Sequence, residues 1–465
     1  MKGVISITNE IISDILNISS YEAENLDSYR KEGVLYICVT LKRKDTSCPQ
    51  CSSSDLKIKE YKIRNIKHSM FQFDKAIIVY RARRYICSQC GKTFYEENPF
   101  VEEGVTISKL TVLNVLKELK ETNATFASVA RHNSISPTKV QEIFDRHVNI
   151  PRQTLTEILC IDEVYTEAST ISKYSCLLLD FHTHRLLDVL PDRKKYTLLN
   201  YFERIKKEER DTVKYVIMDM YDTYRSVVRM RLPKAKIAAD SFHIVMNYTK
   251  AVDKIRLRIQ KKFKKGTDEY YLLKNFNWLL LIDEPKENEA KYNRKLKRYI
   301  NYPQLLDLVL SISEELRIAY ELKTEYLYLN RLCTYENIEK ELTRHLDKMK
   351  ISGIHEIMKF RKTMNNWFDE IINSFIRIGD RRLSNGIMES RNGIVKKIKN
   401  NANGYYNFKR FRNRALYVMN EDSKPNLAES SAPIRLKGHK RGKYKKKTKN
   451  RSIGKKKVPP PKSGV

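Results

Sequence analysis

The sequence contains no hydrophobic run long enough to cross a membrane. Its longest apolar stretches, around residues 177–179 and 279–282, end at Asp180 and Asp283. Both fall well short of the roughly 20 residues that a membrane-spanning helix needs. Acidic residues also interrupt the apolar stretch at the N-terminus, MKGVISITNEIISDIL, so it does not fit a secretory signal. These absences predict a cytoplasmic protein without a membrane partner.

Acidic residues are scarce relative to basic ones. The 465 residues include 89 Lys and Arg against 56 Asp and Glu, which gives a formal net charge of +33. From Arg435 onward there are 14 Lys and Arg and no acids, and subtracting them leaves +19 on the rest of the chain. The body of the protein is therefore basic in its own right. This favours a nucleic-acid partner over an anionic membrane.

The last 45 residues lack a core-forming pattern and are rich in Ser, Pro, Lys and Arg. We expect residues 421–465 to form a disordered basic tail. Such a tail adds salt-sensitive affinity for DNA of any sequence. The alternative is a tail that only increases solubility.

The eight cysteines do not fit a disulfide framework, because four of them form two Cys-x-x-Cys pairs. Cys48 pairs with Cys51, and about 35 residues later Cys87 pairs with Cys90. Two such knuckles can complete the closed four-sulfur site that binds one structural zinc ion. The residues between them fit a β-hairpin, so the sequence predicts a zinc ribbon. A redox pair would need only one motif. The ribbon could contact DNA directly or serve only to stabilise the fold, and the sequence leaves both roles open.

A helix-turn-helix pattern occupies residues 125–148. Phe126 and Val129 begin an apolar face, a mostly polar turn follows, and Ser136 with Pro137 is typical of a second helix start. In DNA-binding proteins of this kind the second helix enters the major groove. Its exposed side would carry the predicted DNA contacts, Thr138, Lys139 and Gln141. The alternative is an ordinary helical hairpin.

From Ile158 onward the pattern predicts the element order β-β-β-α-β-α-β. Asp162 and Asp219 each stand at the end of an apolar strand-like run, ILCID and VKYVIMD. A carboxylate there is costly unless it is paired or bound to a metal. The alternative for each residue alone is a helix cap or a structural ion pair. Together they favour a metal site, because phosphodiester chemistry uses two divalent ions held by carboxylates.

These features together resemble the DDE transposases of bacterial insertion sequences, more narrowly the ISL-three family. The resemblance covers nearly the whole chain except the last 40 or so residues. The matching positions are Cys48, Cys51, Cys87 and Cys90; residues 161–163; residues 218–221 with Tyr224; residues 239–243; residues 384–386 with Glu389, Asn392 and Lys396; and residues 404–405 and 408–414.

The resemblance implies a catalytic and metal-binding triad of Asp162, Asp219 and Glu389. Two Mg²⁺ or Mn²⁺ ions held there would first activate water to nick the element end. The freed 3′-hydroxyl would then attack target DNA. Glu389 has little support from its own surroundings, a basic helix, and enters the triad through the motif around it. About 170 residues separate it from Asp219, and the family's helical insertion accounts for that distance.

Several polar residues near the triad are predicted to have supporting roles or none. Asp240, His243 and Asn392 are predicted to support the site or to orient the substrate; the alternative for Asp240 and His243 is a strand-end cap and a packed histidine. Asp222 competes with Asp219 for the second position. Glu163 is not expected to be a ligand, because in a regular strand it points to the face opposite Asp162.

Basic residues near the C-terminal end of the body are further predicted DNA contacts: Arg391, Lys396, Lys397, Arg410 and Arg412. Aromatic residues interleave with cations over residues 405–414, and such a surface can stack bases and hold phosphates. A core helix with cations at its rim is an equal alternative. Trp367 is expected to belong to the core more than to stack on a displaced base.

The sequence thus predicts a multidomain protein. The expected parts are an N-terminal region with the zinc ribbon (1–100), an all-α helix-turn-helix domain (101–152), an α/β RNase H-like catalytic domain (153–244 and 384–420), an all-α insertion (245–383) and the tail (421–465). The expected function is transposition. The enzyme would bind double-stranded DNA at the terminal inverted repeats and at the target, as a homo-oligomer on paired ends, associated with the bacterial nucleoid.

Two rival functions stay open at this point. A non-catalytic DNA-binding regulator would use the ribbon, the helix-turn-helix and the tail but would not need three acids. An RNase H-like nuclease would cut DNA without joining it.

Overall fold

The computed structural model describes residues 16, 18, 23–69, 75–102 and 104–427. The predicted disordered tail lies almost entirely outside the described residues. Among those that are described, no helix combines the length and the apolar character that crossing a bilayer requires.

A five-stranded sheet forms the N-terminal region. Its strands are β1 (Ala23–Lys31), β2 (Val34–Leu41), β3 (Leu56–His68), β4 (Lys75–Cys87) and β5 (Thr93–Tyr95). Their order is β1-β2-β4-β3, and β5 pairs with the end of β4. Glu32 and Gly33 both have positive φ, the conformation of a tight turn whose twist matches the β1–β2 hairpin. The predicted β-hairpin between the cysteine pairs is therefore the long β3–β4 ribbon, and it belongs to a larger sheet.

Three short helices follow: α1 (Lys109–Glu118), α2 (Phe126–His132) and α3 (Pro137–His147). Thr125 caps α2 in a reciprocal capping box with Ser128, and the Ser136 side chain caps α3 with Pro137 in the first turn. The helix starts expected from the sequence are thus present. The turn between α2 and α3 includes Ser134 at positive φ.

The second sheet contains β6 (Ile158–Tyr165), β7 (Tyr174–Asp180), β8 (Leu186–Leu190), β9 (Tyr215–Met218) and β10 (Lys236–Ala239). Helices α4 (Lys195–Glu203) and α5 (Lys207–Arg210) precede β9, and α6 (Asp222–Arg231) precedes β10. The predicted order of strands and helices is confirmed. In space the strands run β10-β9-β6-β7-β8, with β6, β9 and β10 parallel and β7 and β8 antiparallel to their neighbours.

The long segment after β10 is mainly helical, as predicted. It contains α7 (Ser241–Gln260), α8 (Asp268–Asn275), a 3-10 turn (Asn277–Leu280), α9 (Tyr302–Ser311), α10 (Glu314–Leu332), α11 (Ile338–Ile351), α12 (His355–Asn366) and α13 (Phe368–Asn373). Two short hairpins interrupt it: β11 (Lys291–Asn293) with β12 (Arg298–Ile300), and β13 (Arg377–Ile378) with β14 (Arg381–Arg382). Helix α7 starts directly after β10, so it runs through the expected domain boundary at residue 245.

The second sheet separates two hydrophobic cores. One face, including Leu159 and Met218, packs against α4, α6 and the helical segment. The other face, including Cys160 and Ile217, packs against the last two helices, α14 (Gly386–Asn401) and α15 (Phe408–Met419), and against the three-helix region. Alternate residues of each strand serve opposite cores, as the two-residue period of a strand requires. Trp367 is only 2 % exposed in the first core, which agrees with its predicted core role.

Helix α15 joins the three-helix region to the second sheet. The buried Arg414 donates to the backbone oxygens of Glu121 and Ala124, both at 2.8 Å, in the loop between α1 and α2. The hydroxyl of Tyr417 donates to the backbone oxygen of Leu116, and Asn413 donates to that of Val148. Most of this helix is therefore an internal connector.

Two of the predicted DNA contacts lie on α15, and carboxylates already bind both of them. Arg410 pairs with Asp145 of α3 at 2.6 Å, and Arg412 pairs with the buried Asp188 of β8 at 2.6 Å. These ion pairs give the two arginines a structural role. The core-helix alternative accounts for this segment better than a base-stacking surface does, and DNA contact by either arginine stays only a prediction.

Replacing Arg414 should weaken the junction between the three-helix region and the sheet. Arg414→Ala removes the donor to two backbone carbonyl groups and leaves a cavity where the buried side chain was, so we expect a loss of roughly 2–4 kcal/mol in the free energy of unfolding. Denaturant unfolding measures it. Lys409→Ala, an exposed change on the same helix, is the control. Equal stability of the two variants would contradict the connector role.

Candidate active site and zinc site

Strand register brings the two predicted aspartates together. β6 and β9 are parallel, and their last paired residues are Ile161 and Met218. Asp162 follows Ile161 and Asp219 follows Met218, so the two aspartates lie side by side at the same edge of the sheet. Their carboxylate oxygens lie within 4.8 Å of one another, together with a carboxylate oxygen of Glu163.

The next strand contributes a third aspartate in the same way. β10 runs parallel to β9 with Ala239 opposite Met218, and Asp240 follows immediately. Asp240 is buried and accepts a hydrogen bond from the backbone N–H of Asn385 at 3.1 Å. His243, in the first turn of α7, places Nε2 3.0 Å from Oδ2 of Asp219. Asp219, Asp240 and His243 therefore form a second group of close donor atoms.

Burial and neighbouring negative charge oppose the ionisation of Asp162 and Asp219. Burial raises the pKa of Asp162 to about 6, although hydrogen bonds from the Glu163 backbone N–H and from Asn392 oppose the rise. Burial raises the pKa of Asp219 to about 8, and the charges of Asp162, Asp240 and Glu163 add to this rise. Oδ1 of Asp219 is buried without a hydrogen-bond partner. An unsatisfied oxygen among several carboxylates fits a hard divalent cation.

Glu163 lies closer to the site than expected. Its partners and those of Asp162 lie on opposite faces of the sheet, as a regular strand requires, but one of its carboxylate oxygens is still within 4.8 Å of those of Asp162 and Asp219. β9 stops pairing at Met218, so the edge of β6 is open from Asp162 onward. Arg193 forms an ion pair with Glu163, and the Tyr224 hydroxyl donates to it at 3.2 Å.

Arg193 was not found from the sequence. It lies after β8, 30 residues from Glu163, and its guanidinium group stands over the rings of Tyr174 and Tyr221 at 4.8 and 5.1 Å. No local motif surrounds it, and only the chain path through the sheet brings it to Glu163. The Tyr224 match in the sequence was the one available sign that the surroundings of Glu163 matter.

Glu389 lies at the exposed start of α14 and does not belong to either close group. Asn392, three residues later, is buried and donates to Oδ2 of Asp162 at 2.6 Å. Residues three apart share a helix face, so the turn that carries Glu389 is adjacent to the turn that contacts the site. Its place in a catalytic triad stays a prediction. The supporting role predicted for Asn392 has a direct contact behind it.

The competing acid Asp222 is separated from this cluster. It occupies the first turn of α6, its side chain is 75 % exposed, and it pairs with Arg225 at 2.6 Å. Exposure and an ion pair within one helix account for it without a metal.

The four predicted zinc ligands meet at one end of the β3–β4 ribbon. The sulfur of Cys48 lies 3.6 Å from that of Cys90, and the sulfur of Cys51 lies 3.5 Å from that of Cys87. All four sulfurs are within 4.8 Å of one another. Tetrahedral zinc with bonds of roughly 2.3 Å needs sulfurs about 3.8 Å apart, so the arrangement fits one structural zinc ion.

Comparisons with known proteins identify the family of the chain and its zinc-finger region. The sequence model of a family described as transposase, of the ISL-three type, matches residues 159–415, more than half of the chain. The chain belongs to the ISL-three family of transposases. A second model, described as the zinc-finger of transposase IS204/IS1001/IS1096/IS1165, matches residues 44–90 and so includes all four cysteines.

Two curated proteins resemble this transposase. The transposase for insertion sequence element IS1001 of Bordetella parapertussis is 23 % identical over 367 residues, which cover 77 % of this chain and 85 % of that protein. A protein of Lactococcus lactis subsp. lactis named ATP-dependent protease is 27 % identical over 132 residues, 28 % of this chain and 40 % of that protein. The second match is too short to carry that activity over to this chain.

The remaining predicted DNA contacts of the transposase lie on exposed or half-exposed positions. On α3, Thr138 is exposed, Gln141 is half-buried, and Lys139 pairs with Glu142 at 2.9 Å. On α14, Arg391 is half-buried, and Lys396 and Lys397 are exposed. All of them are accessible to a ligand, and their contact with DNA stays a prediction.

Removing one cysteine should release the zinc of the transposase. Cys90→Ser breaks the closed four-sulfur set, so zinc should fall from about one equivalent per chain to a small fraction of that. Metal analysis of the purified protein measures it. Cys333→Ser, a half-buried cysteine outside the cluster, is the control. Full zinc content in Cys90→Ser would contradict the assignment.

Asp219 should make the metal-free protein less stable as pH rises. Its carboxyl pKa is about 8 in the folded chain against 3.8 normally. The stability associated with the protonated form is therefore complete below pH 3.8 and is lost as pH rises through about 8. Asp219→Asn avoids this loss, so in chelator at pH 8 to 9 it should melt roughly 2–5 °C above the unmodified protein, with a smaller gap at pH 5.

The control for this measurement is Asp222→Asn, which removes an exposed carboxylate outside the cluster. Mg²⁺ or Mn²⁺ should raise the melting temperature of the unmodified protein and of the control, but not that of Asp219→Asn. If the difference in melting temperature between Asp219→Asn and the unmodified protein did not change with pH, burial and neighbouring charges would not be raising the pKa of Asp219.

Proposed function

We propose that this transposase binds the terminal inverted repeats of its insertion sequence and cuts and joins DNA with two divalent ions held by Asp162, Asp219 and Glu389. The observation that carries the proposal is the strand register that sets Asp162 beside Asp219 at one sheet edge. The strand order, with two parallel strands added beside an antiparallel meander, supports an RNase H-like catalytic domain.

Phosphodiester chemistry accounts for this collection of acids. When bound, two Mg²⁺ or Mn²⁺ ions supply charge stabilisation for the attacking and leaving oxygens and make a bound water easier to deprotonate. Asp162 and Asp219 would hold them, with Glu389 approaching from the adjacent helix turn. The side-chain amide of Asn392 donates a hydrogen bond to Asp162, and Nε2 of His243 contacts Oδ2 of Asp219.

Asp240 would act on the site indirectly. Its carboxylate accepts from the backbone N–H of Asn385, the residue just before α14, so it fixes the start of the helix that carries Glu389 and Asn392. Asp240 and His243 are accordingly proposed as positioning residues. The ion pair with Arg193 neutralises Glu163, which limits the charge that a pair of divalent ions has to balance.

The DNA-recognition part of the proposal rests on α2 and α3. They have the length, turn and capping of a helix-turn-helix, and Thr138, Lys139 and Gln141 lie along the accessible side of the second helix. Joining an element requires both of its ends, so we propose that the active form is a homo-oligomer on paired ends. Ordered DNA and partner chains would then complete the assembly.

Strand transfer with defined element ends tests this function. Asp162→Asn, Asp219→Asn and Glu389→Gln should each lower cleavage and joining by at least about 1,000-fold in Mg²⁺ or Mn²⁺, because each removes a metal ligand. Binding to the ends, followed by gel shift in chelator, should stay within about twofold since the charge change is small compared with the whole protein.

Asp222→Asn is the matched control and should keep full activity. Full activity in Asp219→Asn would overturn the assignment of the second acid, and full activity in Glu389→Gln would overturn that of the third. Nicking without joining would identify a nuclease instead of a transposase. End binding without any cleavage under either metal would support the non-catalytic regulator.

A further inference from the structure

Strand β3 is an exposed edge strand with an unusual distribution of charge. Nine consecutive residues, 57–65, are exposed, because β4 covers one edge of the strand and neither of its faces is packed there. Lys57, Lys59, Lys62 and Arg64 lie in this stretch with a single acid, Glu60. The opposite edge strand of the same sheet, β1, is mixed, with acids as well as bases.

The cations of the β3–β4 ribbon gather around two tyrosine rings. Arg64, Arg84 and Lys62 stand 4.7, 5.5 and 5.9 Å from the centre of the Tyr95 ring. On the other face, Arg81 stacks on Tyr61 at 4.1 Å. The cross-strand pairs agree with this division, since Ile63 faces Arg81 and Glu60 faces Arg84.

Carboxylates balance little of this charge. Glu60 binds Arg84 at 2.6 Å, and in the described part of the chain no ion pair involves Lys57, Lys59, Lys62, Arg64 or Arg81. Like charges held this close repel one another unless a polyanion lies nearby. Edge strands do carry charge to avoid pairing with other sheets. That need alone would be met by mixed charge, as on β1, and does not account for arginines fixed on aromatic rings.

We propose that this basic β-ribbon, formed by Lys57, Lys59, Lys62, Arg64 and Arg81 around Tyr61 and Tyr95, is a second contact surface for duplex DNA. It holds the phosphate backbone. The inference rests on the proposed function in requiring DNA as the partner, but it does not depend on the catalytic cluster. The surface lies on the hairpin between the two cysteine pairs and is separate from the helix-turn-helix, so it gives the zinc ribbon a DNA contact beyond its role in the fold.

Geometry favours phosphates of a duplex over bases of a single strand. Arginine already covers one face of each ring, Tyr61 at 4.1 Å and Tyr95 at 4.7 Å, so that face is not open to stack a base, as single-strand binding proteins require. The rings instead pre-orient the guanidinium groups, which leaves their N–H edges for phosphate oxygens. Nine residues of strand span about 30 Å, close to one turn of B-form DNA, roughly 34 Å.

The test measures how salt weakens binding of the full chain to a duplex that lacks the inverted repeats, in chelator. The ribbon variant is Lys57→Gln, Lys62→Gln and Arg64→Gln together. The control, Lys291→Gln, Arg294→Gln and Arg298→Gln, removes the same charge from exposed positions on the β11–β12 hairpin. Each lost phosphate contact lowers the slope of log affinity against log salt by about 0.9, so the ribbon slope should fall by about 2–3 and the control slope by less than 1.

Zinc content and melting temperature of the variants establish that the ribbon is folded. If the triple variant lost zinc, DNA contact by the ribbon would be tested instead with a photo-crosslinking side chain in place of Ile63, which is 64 % exposed, in an otherwise unchanged chain. Crosslinking to duplex supports the proposal, and its absence overturns it.

Equal slopes in the ribbon and control variants would overturn the proposal and leave edge protection as the role of these charges. A loss confined to single-stranded DNA would overturn the assignment to duplex. The outcome is separate from that of the cleavage assay. If the ribbon variant lowers the salt slope but the unmodified protein never cuts DNA, the ribbon proposal stands and the catalytic proposal is refuted. If the protein cuts and joins DNA but the ribbon variant leaves the slope unchanged, the catalytic proposal stands and the ribbon proposal is refuted.

Discussion

The parallel pairing of β6, β9 and β10 is the constraint on which the candidate site depends. Hydrogen bonds between the strands align Ile161 with Met218 and Met218 with Ala239, so the three following residues are all aspartates at one edge. A slip of one residue in either pair would send one carboxylate to the wrong face of the sheet. The two hydrophobic cores on either side hold that register, since alternate residues of each strand belong to different cores.

This arrangement gathers negative charge in a partly dry site. Asp219 lies close to Asp162 and Glu163 on one side and to Asp240 on the other, and among these acids Glu163 forms an ion pair with Arg193. The fold thus accepts electrostatic repulsion where a divalent cation would relieve it. The cost is met by the extensive apolar packing of the strands that carry the acids, which are almost fully buried before each acid.

Charge of the opposite sign is placed elsewhere, and not all of it is available to a partner. The arginines of α15 bind carboxylates and backbone carbonyls and connect the three-helix region to the second sheet. The cations of β3 have no such partners among the described residues, apart from weak stacking on tyrosine. A basic residue is therefore a candidate DNA contact only when its local partners leave it free, and net charge alone does not reveal this.

The sequence by itself determined the family, the zinc knuckles, the strand and helix order and the two central aspartates. Each of these depends on local patterns: cysteine spacing, apolar runs that end in an acid, and capping residues such as Thr125 and Ser136. Only the tertiary structure decided which acids and bases meet. A carboxylate oxygen of Glu163 lies within 4.8 Å of those of Asp162 and Asp219, Arg193 reaches Glu163 from the segment after β8, and Arg412 pairs with Asp188. Side-chain partners depend on where strands end and how helices dock, and these depend on contacts between residues far apart in the chain.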